Sequence, residues 1–132
     1  MTPEVSRFLA KAHHCLANAK VNLKVKLGDD AGRNAYLAAF HAAQALIYDR
    51  TGKVAKTHHG VHAQFEKLVR GKADVPDELR QFLGRAYNLK ALADYETGPG
   101  SEIPLDRAVT AIEGAKEFVD CVGQLLKSPS SR

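Results

Sequence analysis

The chain has 132 residues, of which 45% are apolar and 26% charged, with only five prolines and a formal net charge of +4. That length suits one domain able to bury roughly two-thirds of its unfolded surface, and the composition excludes a disordered tail. No apolar run approaches the roughly 20 residues that cross a bilayer, and Met1-Thr2-Pro3-Glu4 lacks the pattern of a signal peptide, so a cytoplasmic protein without a membrane role is expected.

In chain order, Thr2-Pro3-Glu4 reads as a cap followed by proline at the first helical position. Val5, Phe8, Leu9, Ala12, Leu16, Ala19 and Leu23 then repeat at three and four residues, predicting helix one over about Pro3–Lys26. Gly28-Asp29-Asp30 is expected to end that helix and cap the next, whose apolar stripe is Tyr36, Phe40, Ala43 and Ile47 and which stops near Thr51-Gly52. Thr57 caps a shorter third helix carrying Val61, Phe65, Leu68 and Val69, ended by Gly71. Pro76-Asp77-Glu78 opens a fourth, with Leu79, Phe82, Leu83, Ala86, Leu89 and Ala93 on one side. Thr97-Gly98-Pro99-Gly100-Ser101 cannot continue a helix. A last helix starts around Pro104, with Leu105, Ala108, Ile112, Ala115, Val119, Val122 and Leu126 at helical spacing.

No period-2 alternation and no solenoid repeat occur. The fold class expected is therefore all-α, an up-and-down bundle of about five helices: one domain over residues 1–127 and a frayed tail over 128–132. Cys15 and Cys121 lack a CxxC spacing and are expected as free buried thiols. The excess of 19 basic over 15 acidic residues permits a nucleic-acid or acidic-protein partner without demanding one.

Three polar constellations interrupt this pattern. Arg33-Asn34 is followed by His41, seven residues after Asn34 on nearly the same face. Arg33 can hold a phosphate and His41 can carry a proton; equally, Arg33 can pair with Asp29 or Asp30 while His41 is a satisfied bundle histidine. Thr57-His58-His59-Gly60-Val61-His62 places His58 and His62 at i,i+4, a spacing that can chelate a divalent metal, but no acid or cysteine follows at a matching position. A structural role at the helix start is favoured, with no metal and no cofactor expected. At the end of helix four, Asn88 and Tyr95 share a face while Lys90 and Asp94 form an i,i+4 pair on the adjacent strip. No phosphate-binding glycine loop, nucleophile elbow or HExxH motif is present.

The succession Arg33-Asn34-Ala35-Tyr36-Leu37-Ala38-Ala39-Phe40-His41-Ala42-Ala43, His58-His59-Gly60-Val61 and Leu92-Ala93-Asp94-Tyr95 resembles the HEPN-domain family over about residues 5 to 125. The resemblance implies a helical bundle, usually a homodimer, often encoded beside a minimal nucleotidyltransferase with which it forms a toxin-antitoxin pair. Many members are metal-independent ribonucleases whose arginine and histidine, near the end of the fourth helix, stabilise phosphorane charge and transfer protons.

Here Asn88 stands about where that arginine is expected and Tyr95 about where the histidine is expected. Asparagine cannot offset phosphate charge, and tyrosine, with a pKa near 10, is a poor base at neutral pH. The resemblance thus implies a dimeric module with a degenerate ribonuclease motif. It would bind RNA, a nucleotide or a nucleotidyltransferase through a groove of Arg33, His41, Asn88, Asp94 and Tyr95. One alternative is a ribonuclease toxin with a displaced site, for which His41, Arg85 and Tyr95 are the catalytic candidates; another is a structural adaptor without nucleic-acid binding.

Overall fold

The computed structural model describes residues 1–128. It contains five helices: α1 (Pro3–Lys24), α2 (Gly28–Thr51), α3 (His58–Val69), α4 (Asp77–Tyr95) and α5 (Leu105–Lys127). Among the described residues there is no strand, and no helix is long and apolar enough to cross a membrane. The tail expected over 128–132 lies, beyond Ser128, outside the described residues.

Local chemistry sets most of the boundaries. Thr2 caps α1, its Oγ1 accepting the Val5 N–H at 3.2 Å, with Pro3 entering the first turn. Thr57 caps α3 in the same way, accepting from Gly60 N–H at 2.9 Å. Gly52 ends α2 in the left-handed region at φ 72°. The start of α2 departs from expectation: the helix begins at Gly28, with Leu27 at the cap position and no side-chain cap bond. Asp29 and Asp30 fall inside the first turn, where negative charge is favoured by the unsatisfied N–H groups. Their carboxylates are then free to bond elsewhere.

α2 is the spine. It packs against all four other helices, whereas α1 touches neither α3 nor α4. Its apolar surface is wider than the stripe of Tyr36, Phe40, Ala43 and Ile47, because Ala35, Ala38, Ala39, Ala42 and Ala45 are also fully buried. Small side chains on every face let four neighbours approach one helix.

Arg50 at the end of α2 donates to the Leu125 carbonyl at 2.8 Å, and Asp29 at its start accepts from Ile103 N–H at 2.8 Å. α2 and α5 are therefore parallel, with α1 and α4 antiparallel to them. Phe118 of α5 closes the far side, 4.9 Å from the Phe65 ring and 6.0 Å from the Phe82 ring. Each fully buried side chain of this size contributes about 1.5–3 kcal/mol through burial. Cys15 is buried and Cys121 half-buried; both are free thiols, pushed up in pKa chiefly by burial.

Candidate functional site

The polar groups singled out along the chain meet mostly where α2, α3 and α4 join. Arg33, in the second turn of α2, reaches across to the end of α4. Its Nε donates to Asp94 Oδ1 at 2.6 Å and its NH2 to the Ala93 carbonyl at 2.9 Å, while NH1 turns back to Asp30 Oδ1 at 2.8 Å. Lys90 holds the other oxygen of the same carboxylate, Oδ2, at 2.7 Å. Both sequence readings of Arg33 and Lys90 as ion-pair partners hold, and Asp94 is the hub that joins them. Lys90 and then Arg33 keep its carboxyl below the usual range. Partly exposed pairs are worth about 0–1 kcal/mol each, so the main effect is geometric: the end of α4 is fixed on α2.

The histidine pair of α3 is organised by a residue that the sequence pattern placed only in the apolar stripe. Tyr36 has no exposed surface, yet its hydroxyl lies 2.7 Å from His58 Nδ1 and 3.0 Å from His62 Nε2. One hydroxyl has one proton, so it donates to one ring and accepts from the other. The Tyr87 ring packs against all three, with centroids 5.3 Å from Tyr36, 5.1 Å from His58 and 5.5 Å from His62, and Lys90 Nζ lies 5.9 Å from the Tyr87 centroid. One nitrogen of each ring, His58 Nδ1 and His62 Nε2, is thus engaged by the phenol. Among the described residues no cluster of three or more His, Cys, Asp or Glu that could hold a metal is present.

His41 sits elsewhere. Its Nδ1 is 2.7 Å from Gln44 Oε1, and the Gln44 amide nitrogen donates to the Ala55 carbonyl at 2.8 Å. Because the amide oxygen accepts, Nδ1 carries the proton. His41 thus bonds within α2, and its partner Gln44 bonds to the segment after it; neither bond runs to α4. Asn88 is exposed on α4 and lines a cleft toward α3 together with His62, Arg80 and Arg85. Tyr95 is 77% exposed at the last turn. Of the five groove residues proposed from sequence, the structure therefore joins Arg33 to Asp94, sets Asn88 in the α3–α4 cleft, leaves Tyr95 projecting at the helix end and keeps His41 apart. Tyr36, Tyr87 and Arg80 were missed as site residues, and His62 was singled out only for its spacing from His58. For Tyr36 the sequence signal was a tyrosine in an apolar stripe, whose hydroxyl needs a partner when buried.

His41, His58 and His62 are all lowered in pKa, each mainly by burial; Lys90 adds to the effect at His58, and His58 and His59 add to it at His62. A depressed histidine binds fewer protons in the folded chain than in the unfolded one. Its stabilisation is present above the unfolded value of 6.5 and is lost as pH falls through the folded value. The urea midpoint is therefore expected to be lower at pH 5 than at pH 7.5, and the difference to shrink in a His58→Gln/His62→Gln double variant. An unchanged difference would exclude this pair. Asp94 cannot mimic the effect, since its own contribution is lost only in acid below its unfolded range.

Comparison with known proteins agrees with this architecture. The HEPN domain model matches residues 5–126. A Methanocaldococcus jannaschii protein named "Putative toxin MJ0605" is 31% identical over 94% of this chain and 90% of its own length. A UPF0332 protein of Archaeoglobus fulgidus is 30% identical over 88% of this chain and 90% of its own length. The crystal structure of TT1696 from Thermus thermophilus superposes with a TM-score of 0.79 at 21% identity, covering 93% of this chain and 98% of that one, which shows a shared fold. On the strength of the family match and these relatives, the chain belongs to the HEPN-domain family.

Proposed function

We propose that this protein is a HEPN-type module of a toxin-antitoxin arrangement that binds RNA and assembles as a homodimer, and that its α4 motif no longer cleaves the strand. The toxin setting is carried over from the name of the Methanocaldococcus relative. The observation that carries the loss of cleavage is the state of α4. The motif positions hold Asn88 and Tyr95, and the two cations at that end of the helix, Arg33 and Lys90, are both committed to Asp94. Arg85, one turn before Asn88, is in no ion pair among the described residues, but tyrosine stands where the family histidine is expected, so proton transfer is what α4 lacks. His41, bonded to Gln44, gives no support to the displaced ribonuclease reading.

Assembly is supported by apolar surface at one end of the bundle. Leu92 and Tyr95 at the end of α4 are 39% and 77% exposed, and Leu105 and Val109 at the start of α5 are 38% and 40% exposed. Tyrosine at such a place suits either stacking on a base or packing on a second copy.

The test is a labelled single-stranded oligoribonucleotide incubated with purified protein in EDTA, with binding followed by anisotropy across a salt series. Binding that weakens steeply with salt, with the strand left intact, is the expected result. Metal-independent cleavage lost in an Asn88→Ala or Tyr95→Phe variant would overturn the reading. Salt-insensitive self-association without RNA binding would favour an adaptor instead.

A further inference from the structure

Clefts on two sides of α4 differ in chemistry. The larger, of about 650 Å³, lies between α4 and α5. Four carboxylates, from Glu78, Asp106, Glu113 and Glu117, line it beside Arg107 and Arg85, the latter on the edge shared with the second cleft, and this excess of negative charge disfavours anions. The smaller, of about 390 Å³, lies between α3 and α4, and no carboxylate lines it. Its polar wall is His62, Arg80, Gln81, Arg85 and Asn88.

That wall follows from helical register. Positions 80, 81, 84, 85 and 88 recur at three and four residues, so they share one face of α4, and His62 meets them from α3. Arg80 is partly neutralised by Asp77. Arg85 is not: its one hydrogen bond among the described residues goes to the Glu78 carbonyl at 3.0 Å, and no carboxylate there pairs with it. Phe65 and Leu83, 3% and 2% exposed, line the base and lower the local polarity, which strengthens a charge-assisted bond above them. Gly84 lies one turn from Arg80 and one turn from Asn88, and a Cβ there would meet nothing within 4 Å, so the wall is open at its middle.

We propose that the α3–α4 cleft is a phosphate-ester site, in which Arg85, Asn88 and His62 hold one phosphoryl group of a single RNA strand or of a free nucleotide. The guanidinium supplies the charge and a forked pair of donors. The Asn88 amide adds neutral donors. His62 Nε2 is engaged by Tyr36, so Nδ1 is the nitrogen left for the ligand. Donation from Nδ1–H fixes the tautomer: Tyr36 O–H donates to His62 Nε2, and His58 Nδ1–H donates to the phenol oxygen. The loss of the family arginine at position 88 is thereby offset for binding by Arg85 one turn earlier, without restoring the α4 motif.

This inference rests on the RNA-binding reading for one of its two ligand sources, and the experiment separates them. The full chain is titrated with inorganic phosphate, with adenosine monophosphate and with an oligouridylate, while NMR follows the His62 ring and the amides of residues 80–88. Phosphate is expected to shift these signals and to lock the His62 Nδ1–H tautomer. Arg85→Ala is expected to weaken the tightest of the three ligands roughly five- to tenfold and, for the oligouridylate, to reduce the salt slope by about one.

Gly84→Glu guards against a folding artefact, since glutamate is the better helix former, its side chain enters open space, and its charge four residues from Arg80 closes the site. It is expected to abolish the phosphate shifts with the fold intact. Absence of shifts with all three ligands overturns the proposal, as do shifts that survive both variants. RNA binding unaffected by either variant overturns the cleft but leaves the RNA reading standing. Phosphate and mononucleotide shifts without oligouridylate binding support the cleft, with a free nucleotide as the source, and overturn the RNA reading.

Discussion

Tyr36→Ala is expected to cost about 3–5 kcal/mol, the range for removing a buried aromatic side chain, and to lower the melting temperature by roughly 10–20 °C for a chain of this size. The ring has no exposed surface and lies 5.8 Å from Phe40 and 5.3 Å from Tyr87. Its removal opens a cavity where three helices meet, and the alanines around it have no side-chain freedom with which to refill the space. The hydroxyl is a smaller part of the effect. Tyr36→Phe keeps the ring and leaves two imidazoles without their shared partner, but both are only half-buried and can turn to water, so about 1–2 kcal/mol is expected. Calorimetry on the two variants separates packing from hydrogen bonding. Equal losses would show that the bridge, not the ring, holds α3 in place.

The second large effect is Gly28→Ala, for which a loss of about 2–3 kcal/mol is expected from overpacking. A Cβ at Gly28 would lie 2.1 Å from the Ile103 carbonyl oxygen. That oxygen belongs to backbone that cannot step aside, because the Ile103 N–H is held by Asp29 and its side chain is only 4% exposed. Gly32→Ala is the informative contrast: its Cβ would meet the Ile103 Cδ1 at 2.7 Å, the far end of a rotatable side chain. Gly84→Ala meets nothing and should stabilise by about 0.5–1 kcal/mol through helix propensity. Urea unfolding should rank them Gly28→Ala least stable, Gly32→Ala intermediate and Gly84→Ala most stable. A Gly28→Ala protein as stable as the parent would mean that the α4–α5 connection does not pack tightly on α2.

The contrast between those glycines also marks how far the fold could be read from sequence. Boundaries set by neighbours in the chain were legible: Thr2 and Thr57 cap through bonds three residues away, and Pro76 precedes α4 as expected. The Asp29-Asp30 cap was not what the chain builds, because Asp29 is claimed by Ile103, 74 residues distant. No local pattern announces such a partner.

For Arg33, the Asp30 pairing was readable from its i,i+3 spacing, whereas the Asp94 pairing, 61 residues away, required knowing that α4 runs back along α2. The breadth of burial on α2 was hidden for a different reason. Alanine signals helix whether or not it is buried, so Ala35, Ala38 and Ala42 carry no directional information in a hydrophobic pattern. At the site, His58 and His62 drew notice by spacing alone, and only the fold supplied the phenol that joins them.

The central placement of α2 has a consequence for how such a scaffold can diversify. A helix enclosed by four others through alanine-sized contacts cannot accept larger side chains and has little free face on which to present a ligand group. Variation is thereby channelled outward, to α3 and to the outer side of α4, where Gly84, Arg85 and Asn88 can be exchanged without disturbing the interior. One backbone can then serve unrelated surface chemistries while its spine stays fixed, and new activities can arise on it by a few substitutions on two helices.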